Sequence, residues 1–141
     1  MIIMKDHVAI MLRNQDGKIL FIQRSMKKKT LPEAWSFPSG TVEEGEDVFV
    51  TASRETMKEL WVGALAVDSI AVRELPEFSV RLYFVVCDIC EGEVASITEP
   101  DEIDEIEWMS MGGFFDRFSD DEIGHGLVWL RANPDVWAGL R

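Results

Sequence analysis

Positive charge is the first thing this chain lacks. Its 141 residues carry 14 Lys and Arg against 26 Asp and Glu, a formal net charge of −12. Such a surface disfavours bulk nucleic acid and acidic membranes, which need a basic face. A small phosphorylated ligand is still allowed, because a bound cation inverts the local field. Cysteine is nearly absent. Cys87 and Cys90 have C-x-x-C spacing, but Val85 to Cys90 reads as a strand, where residues three apart point to opposite faces. Without a second ligand pair, zinc and redox roles are disfavoured. No apolar run reaches the ~20 residues of a membrane span. The segment Met1 to Lys5 is too short for the apolar core of a secretory signal, so the expected location is cytoplasmic. There is no internal repeat and no low-complexity segment. The 47% apolar content excludes disorder, and the length predicts one domain, residues 1–141, with its own core.

The chemistry-bearing residues are concentrated in Gly40 to Val62, GTVEEGEDVFVTASRETMKELWV. A short acidic loop with Gly40 and Gly45 leads into a helix predicted from Asp47 to about Leu60. Asp47 serves as N-cap, and no proline or glycine follows it in the run. Glu55 and Glu59 are four apart and share a helix face. Their repulsion costs a few tenths of a kcal/mol, roughly, on an isolated helix. A hard cation such as magnesium removes that penalty by taking carboxylate oxygens. Spacing alone leaves a second reading open, two glutamates on a solvated face. Phe49, Ser53, Met57 and Leu60 are expected on the opposite face, against a sheet.

In this stretch Gly40, Glu46, Arg54, Glu55, Glu59 and Val62 fall in the register of the Nudix box, the signature of the MutT-like Nudix hydrolases. Leu31 to Gly40 also resembles the family's approach to the box. The box is degenerate. Thr56 stands where an apolar residue is usual. Lys58 replaces a glutamate that is commonly a metal ligand. Trp61 replaces the glycine that ends the helix, and Gly63 is a candidate displaced cap.

The resemblance implies an α/β fold, a Nudix-type alpha/beta/alpha sandwich with a mixed sheet. It implies hydrolysis of a nucleoside diphosphate linked to another moiety, most simply a nucleoside triphosphate, with Mg2+ or Mn2+. Metal ligands would be Glu55, Glu59 and the backbone carbonyl of Ser39, where a glycine is usual. Glu46 and Arg54 would form a structural pair beside Gly40. Glu102 or Glu55 would be the catalytic base, with Glu99 a second candidate in the late loop. Arg24, Arg81 and Tyr83 are the substrate-binding candidates. The expected partner is a nucleotide-derived small molecule, with no bulk nucleic acid and no membrane. Phe49, Val50 and Trp61 offer a homodimer surface. The alternative implied by Lys58 is a Nudix-fold nucleotide-binding sensor with little chemistry. An isomerase acting on an isoprenoid diphosphate is disfavoured by the short chain and the lack of a suitable cysteine near the box.

Along the rest of the chain, Val8 to Leu12 and Lys18 to Arg24 read as strands joined by an Asp-Gly turn. Lys27, Lys28 and Lys29 form the one dense basic run, suited to steering phosphates or simply solvated. A short strand is expected at Trp35 to Phe37, and another within Ala64 to Glu74. The strongest strand is Phe78 to Ile89, with Arg81 and Tyr83 on one face. An acidic loop from Glu99 leads into a strand ending at Trp108. Met111 to Arg117 and Asp120 to Arg131 read as closing helices. His125 lies in the second, where a lone histidine is usually structural.

Overall fold

The computed structural model describes residues 3–140. Its central strand is β1 (Lys5–Arg13), whose middle is buried on both faces. Val8, Ile10 and Leu12 enter one core, and Ala9 and Met11 enter the other. Such double burial explains the unbroken apolar run in place of alternation. β6 (Val80–Ile89) lies parallel to β1, from Lys5 opposite Val80 to Arg13 opposite Asp88. β5 (Ala64–Leu75) adds antiparallel to β6 and forms an edge of the sheet, with register shifts at Ala66/Asp68 and Ser69/Ala71. The sheet is therefore mixed.

The other side of β1 departs from a simple hairpin. Asn14 Oδ1 accepts from the backbone N–H groups of Asp16 and Lys18, both at 3.0 Å, which closes the expected turn. Beyond it, β2 (Ile19–Arg24) pairs with β1 only at Arg13–Ile19. The reason is competition for the strand edge. β4 (Ser39–Thr41), three residues long, takes the flank of β1 at His7, Val8 and Ala9. β2 instead pairs with β3 (Trp35–Ser36) and β7 (Ile103–Met109). This arrangement brings Ser39 and Gly40 to the middle of the sheet.

Helix α1 (Val48–Leu60) covers the core face of Val8, Ile10, Leu12, Val85 and Cys87. α2 (Met111–Arg117) and α3 (His125–Ala132) cover the other face, where Phe21 stacks on Phe114 at 4.0 Å between ring centroids. The result is an α/β/α sandwich, as the resemblance implied. Asp47 caps α1, its Oδ1 accepting from Val50 N–H at 2.9 Å.

Four local expectations change. The side of α1 turned to the sheet is Ala52, Thr56 and Leu60, while Phe49 and Met57 are 40% and 41% exposed. Thr56 is tolerated in that face because its hydroxyl donates to the Ala52 carbonyl at 2.7 Å. Trp61 itself, not Gly63, ends the helix, at φ 58° in the left-handed region, with its N–H on the Met57 carbonyl. The last predicted helix is broken: Asp120–Glu122 is one 3-10 turn, and α3 begins only after Gly124. β6 starts after a 3-10 turn at Pro76–Phe78, so Phe78 lies outside it.

Candidate active site

β4, α1 and the loop before β7 enclose a cleft of ≈ 420 Å³ lined by Ser39, Gly40, Thr41, Glu43, Arg54, Glu55, Lys58, Glu59, Glu99 and Glu102. The helix supplies one wall because 54, 55, 58 and 59 recur at helical spacing on one side. Gly40 is required by close approach. A Cβ there would lie 2.2 Å from Glu55 Cγ and 2.8 Å from Glu55 Oε1. Ser39, by contrast, sits in extended β4, where a glycine is not needed.

Glu46 and Arg54 fix the loop against the helix. Arg54 Nε donates to Glu46 Oε2 at 2.7 Å and Nη2 donates to Oε1 at 2.9 Å, a bidentate pair. Arg54 also donates to the Thr41 carbonyl at 3.1 Å and to Glu55 Oε1 at 2.7 Å. The Arg54 guanidinium, then the Glu43 backbone N–H, hold the Glu46 carboxyl down at about 2. Thr51 Oγ1 adds a bond to Glu46 at 2.9 Å. Arg54 thus orients Glu55, which is 7% exposed.

Glu59 is in the opposite condition. Its Oε2 is buried and has no hydrogen-bond partner, while the Ser39 backbone N–H donates to the carboxylate. Burial, reinforced by the charges of Glu55 and Glu99, pushes the Glu59 carboxyl up to about 8, against a smaller pull from Lys58. A bare buried carboxylate oxygen facing further carboxylates suits a hard divalent cation, which would supply the missing partner and cancel the repulsion. The donor set is lean. Among the described residues no three His, Cys, Asp or Glu side chains converge as a metal-holding group. Lys58 lies in the cleft, where the box pattern has a carboxylate.

The late loop behaves differently from its ranking in the sequence. Glu99 and Glu102 both line the cleft, but it is Glu99 whose charge acts on Glu59. Glu102 is occupied by an ion pair with Lys28 Nζ. The substrate-binding candidates are not brought to the glutamates. Arg24 is held by the Thr30 carbonyl, at 2.9 Å from Nη2, and lines a neighbouring cavity of ≈ 160 Å³ that shares Ser39 with the cleft. His125 also lines that cavity, and its ring lies 5.5 Å from that of Phe78. From β6 that cavity receives Leu82. Tyr83 packs toward the α1 core, and Arg81 bonds to Tyr83 and approaches Asp6 and Glu74, each at 3.8 Å. The alternation of β6 placed Arg81 and Tyr83 together correctly, but on the face under α1. Cys87 is buried in that core, with its thiol pushed up to about 12 by burial, and Cys90 is exposed; both are free. Sequence reading missed Glu43, which lines the cleft and lies 3.4 Å from Arg54; its place in an acidic loop is the only signal it carried.

No helix among the described residues is long and apolar enough to cross a membrane. The chain is similar to Nudix hydrolase 5 of Arabidopsis thaliana, 25% identical over 130 residues, covering 89% of this chain and 43% of that protein. It is 40% identical over 63 residues to an RNA pyrophosphohydrolase of Sphingopyxis alaskensis, covering 45% of this chain and 38% of the relative. The chain therefore spans less than half the length of these curated relatives. Its fold matches the crystal structure of a MutT protein from Methanosarcina mazei Go1, with TM-score 0.74 at 19% identity over 97% of this chain and 96% of that one. A NUDIX hydrolase from Nitrosomonas europaea gives TM-score 0.73 at 18% identity over 98% and 91%. The NUDIX domain family matches residues 4–125, most of the chain, and the chain belongs to that family.

Proposed function

We propose that this chain hydrolyses a nucleoside diphosphate linked to another moiety, most simply a nucleoside triphosphate. The observation that carries the reading is the partnerless Glu59 oxygen beside Glu55 in a cleft walled by the box helix. Nudix hydrolases act on nucleotide-derived small molecules and generally need a divalent metal. Mg2+ or Mn2+ is the cation these oxygen donors suit. Glu59, Glu55 and the Ser39 backbone carbonyl would hold it. The chemistry such an ion would supply when bound is polarisation of a phosphoryl oxygen and a lowered pKa for an attacking water.

The chain's own residues do the rest. Arg54 keeps the Glu55 carboxylate aimed from the helix into the cleft, and Gly40 leaves the room it needs. Glu55 or Glu102 accepts the proton of the attacking water; Glu99 is the alternative nearest Glu59 in charge. Arg24 lines the adjoining cavity, where it would meet a part of the substrate remote from the cut bond. Arg81 and Tyr83 would take part only through the sheet face under α1.

A second reading has its own observation. Lys58 faces the cleft and leaves fewer carboxylates than the box usually offers. This favours a nucleotide-binding sensor with weak or no chemistry. One assay decides between the two. Nucleoside triphosphates, dinucleoside polyphosphates, nucleotide sugars, ADP-ribose and 5′-triphosphorylated RNA are incubated with Mg2+ or Mn2+ and with chelator, and products are resolved. The hydrolase reading expects metal-dependent cleavage of at least one substrate. Metal-independent nucleotide binding without cleavage would replace it with the sensor reading. Under the sensor reading Lys58→Glu raises metal affinity and turnover; a fall in both instead makes Lys58 a substrate contact.

A further inference from the structure

One lysine of the dense basic run of this acidic chain, Lys28, meets the glutamate cleft through Glu102. The backbone N–H groups of loop 25–30 tie it to Glu102 and to Asp104 at the start of β7. Ser25 N–H donates to the Glu102 carbonyl at 2.9 Å, and Met26 N–H donates to Asp104 Oδ2 at 3.1 Å. Two lysine pairs lie over these ties, Lys27 with Asp101 at 3.0 Å and Lys28 with Glu102. Only the second reaches the cleft, because Glu102 lines it and Asp101 does not. Since the backbone contacts hold the loop, the Lys28 side chain is not needed for that task.

We propose that Lys28 is a phosphate-binding residue of this cleft, and that its pair with Glu102 is the resting arrangement that a polyphosphate substrate breaks. This rests on the hydrolase reading and specifies which chemistry the site selects. The cleft is lined by five glutamates, and its cations are Arg54, already engaged by Glu46 and Glu55, and Lys58. A chain of phosphates needs positive charge on more than one side. Lys58 offers it from the helix and Lys28 from the opposite loop. Lysine suits an exchange of partners, being a compact charge on a flexible stem. An exposed ammonium–carboxylate pair is weak, whereas a terminal phosphate brings more charge and more acceptor oxygens. When Lys28 moves to the phosphate, Glu102 is freed inside the cleft, where a base is wanted. Substrate arrival and release of the base are then one event.

The test is calorimetric binding of inorganic triphosphate to the metal-loaded protein, in wild type, Lys28→Met, Lys28→Arg and Lys27→Met. Lys28→Met is expected to weaken triphosphate roughly tenfold, as for loss of one charge-assisted contact. Lys28→Arg should restore affinity to within about threefold, and Lys27→Met should bind as wild type. Mn2+ affinity without phosphate should be unchanged or tighter in Lys28→Met, because Glu102 is released. Equal loss in Lys27→Met and Lys28→Met would show that the lysine pairs only hold the loop, and would overturn the proposal. Wild-type affinity in Lys28→Met would overturn it too. Turnover on the substrate panel judges the hydrolase reading separately. An active enzyme indifferent to Lys28 sinks this proposal alone, whereas a wild type that binds no triphosphate and cleaves nothing sinks both.

Discussion

Two glutamates one helical turn apart have been given opposite surroundings. Glu55 is bonded to Arg54, and Glu59 is left with a bare buried oxygen. A consequence follows for the metal-free protein. The folded-state pKa of Glu59 is raised from 4.5 to about 8, so the folded form holds a proton that the unfolded chain has already lost. Stability present below pH 4.5 is therefore lost as pH rises through about 8. A divalent cation must displace that proton, so metal binding at pH 7 should release about one proton per chain, and less at pH 9. Calorimetry in buffers of different ionisation enthalpy measures this directly. No proton release at pH 7 would contradict the account of Glu59 as a protonated carboxyl that the metal ionises. The residue pattern exposed Glu55, Glu59, Glu46, Arg54 and Gly40 because helical spacing and box register are local. It gave no sign that Lys28 meets Glu102, since that pair joins positions 74 apart in sequence. Nor did it rank Glu99 above Glu102, which depends on how the late loop lies against α1.

At the scale of elements, strong local signals survived and competitive ones did not. The N-cap at Asp47, the body of α1, β6 and α2 lie close to where capping and periodicity put them. β4 was not legible, because three residues with no apolar alternation become a strand only when β1 offers an edge. The same competition left β2 paired with β7. The outward turn of Phe49 and Met57 was missed because the sheet takes the smaller Ala52 and Thr56 instead. The end of α1 carries a prediction. Trp61 holds a left-handed conformation that costs an L-residue about 1–2 kcal/mol, and its side chain is 70% exposed. Trp61→Gly should therefore stabilise the isolated protein, by about 1 kcal/mol, in urea unfolding at unchanged m-value. A loss of stability would show that the indole is packed against something in solution, with the proposed Phe49, Val50 and Trp61 dimer surface the first place to look.

Over the whole molecule, a net charge of −12 surrounds a cleft that, on the proposed reading, receives an anion. On that reading the opposition would be resolved locally, by a cation at Glu59 and by Lys58 and Lys28. Charge spoke only against bulk nucleic acid and acidic membranes, the nucleotide reading came from the box resemblance, and the sandwich fold brings the box helix, β4 and the late loop to one place. The fold was legible through the box resemblance, with which the order of apolar strands, one well-marked helix and closing helices agrees. The substrate was less so, since the second cavity joins Arg24 and the approach to the box to Ala9 of β1, Leu82 of β6 and the start of α3, which are far apart in sequence. The central claim is that metal-dependent phosphoanhydride cleavage occurs in this cleft. The most direct measurement is turnover of wild type and Glu55→Gln, side by side, on the best substrate of the panel with saturating metal. The account predicts a loss of about 10²-fold or more, as for a missing metal or catalytic carboxylate. Equal turnover in the two proteins would place the chemistry elsewhere.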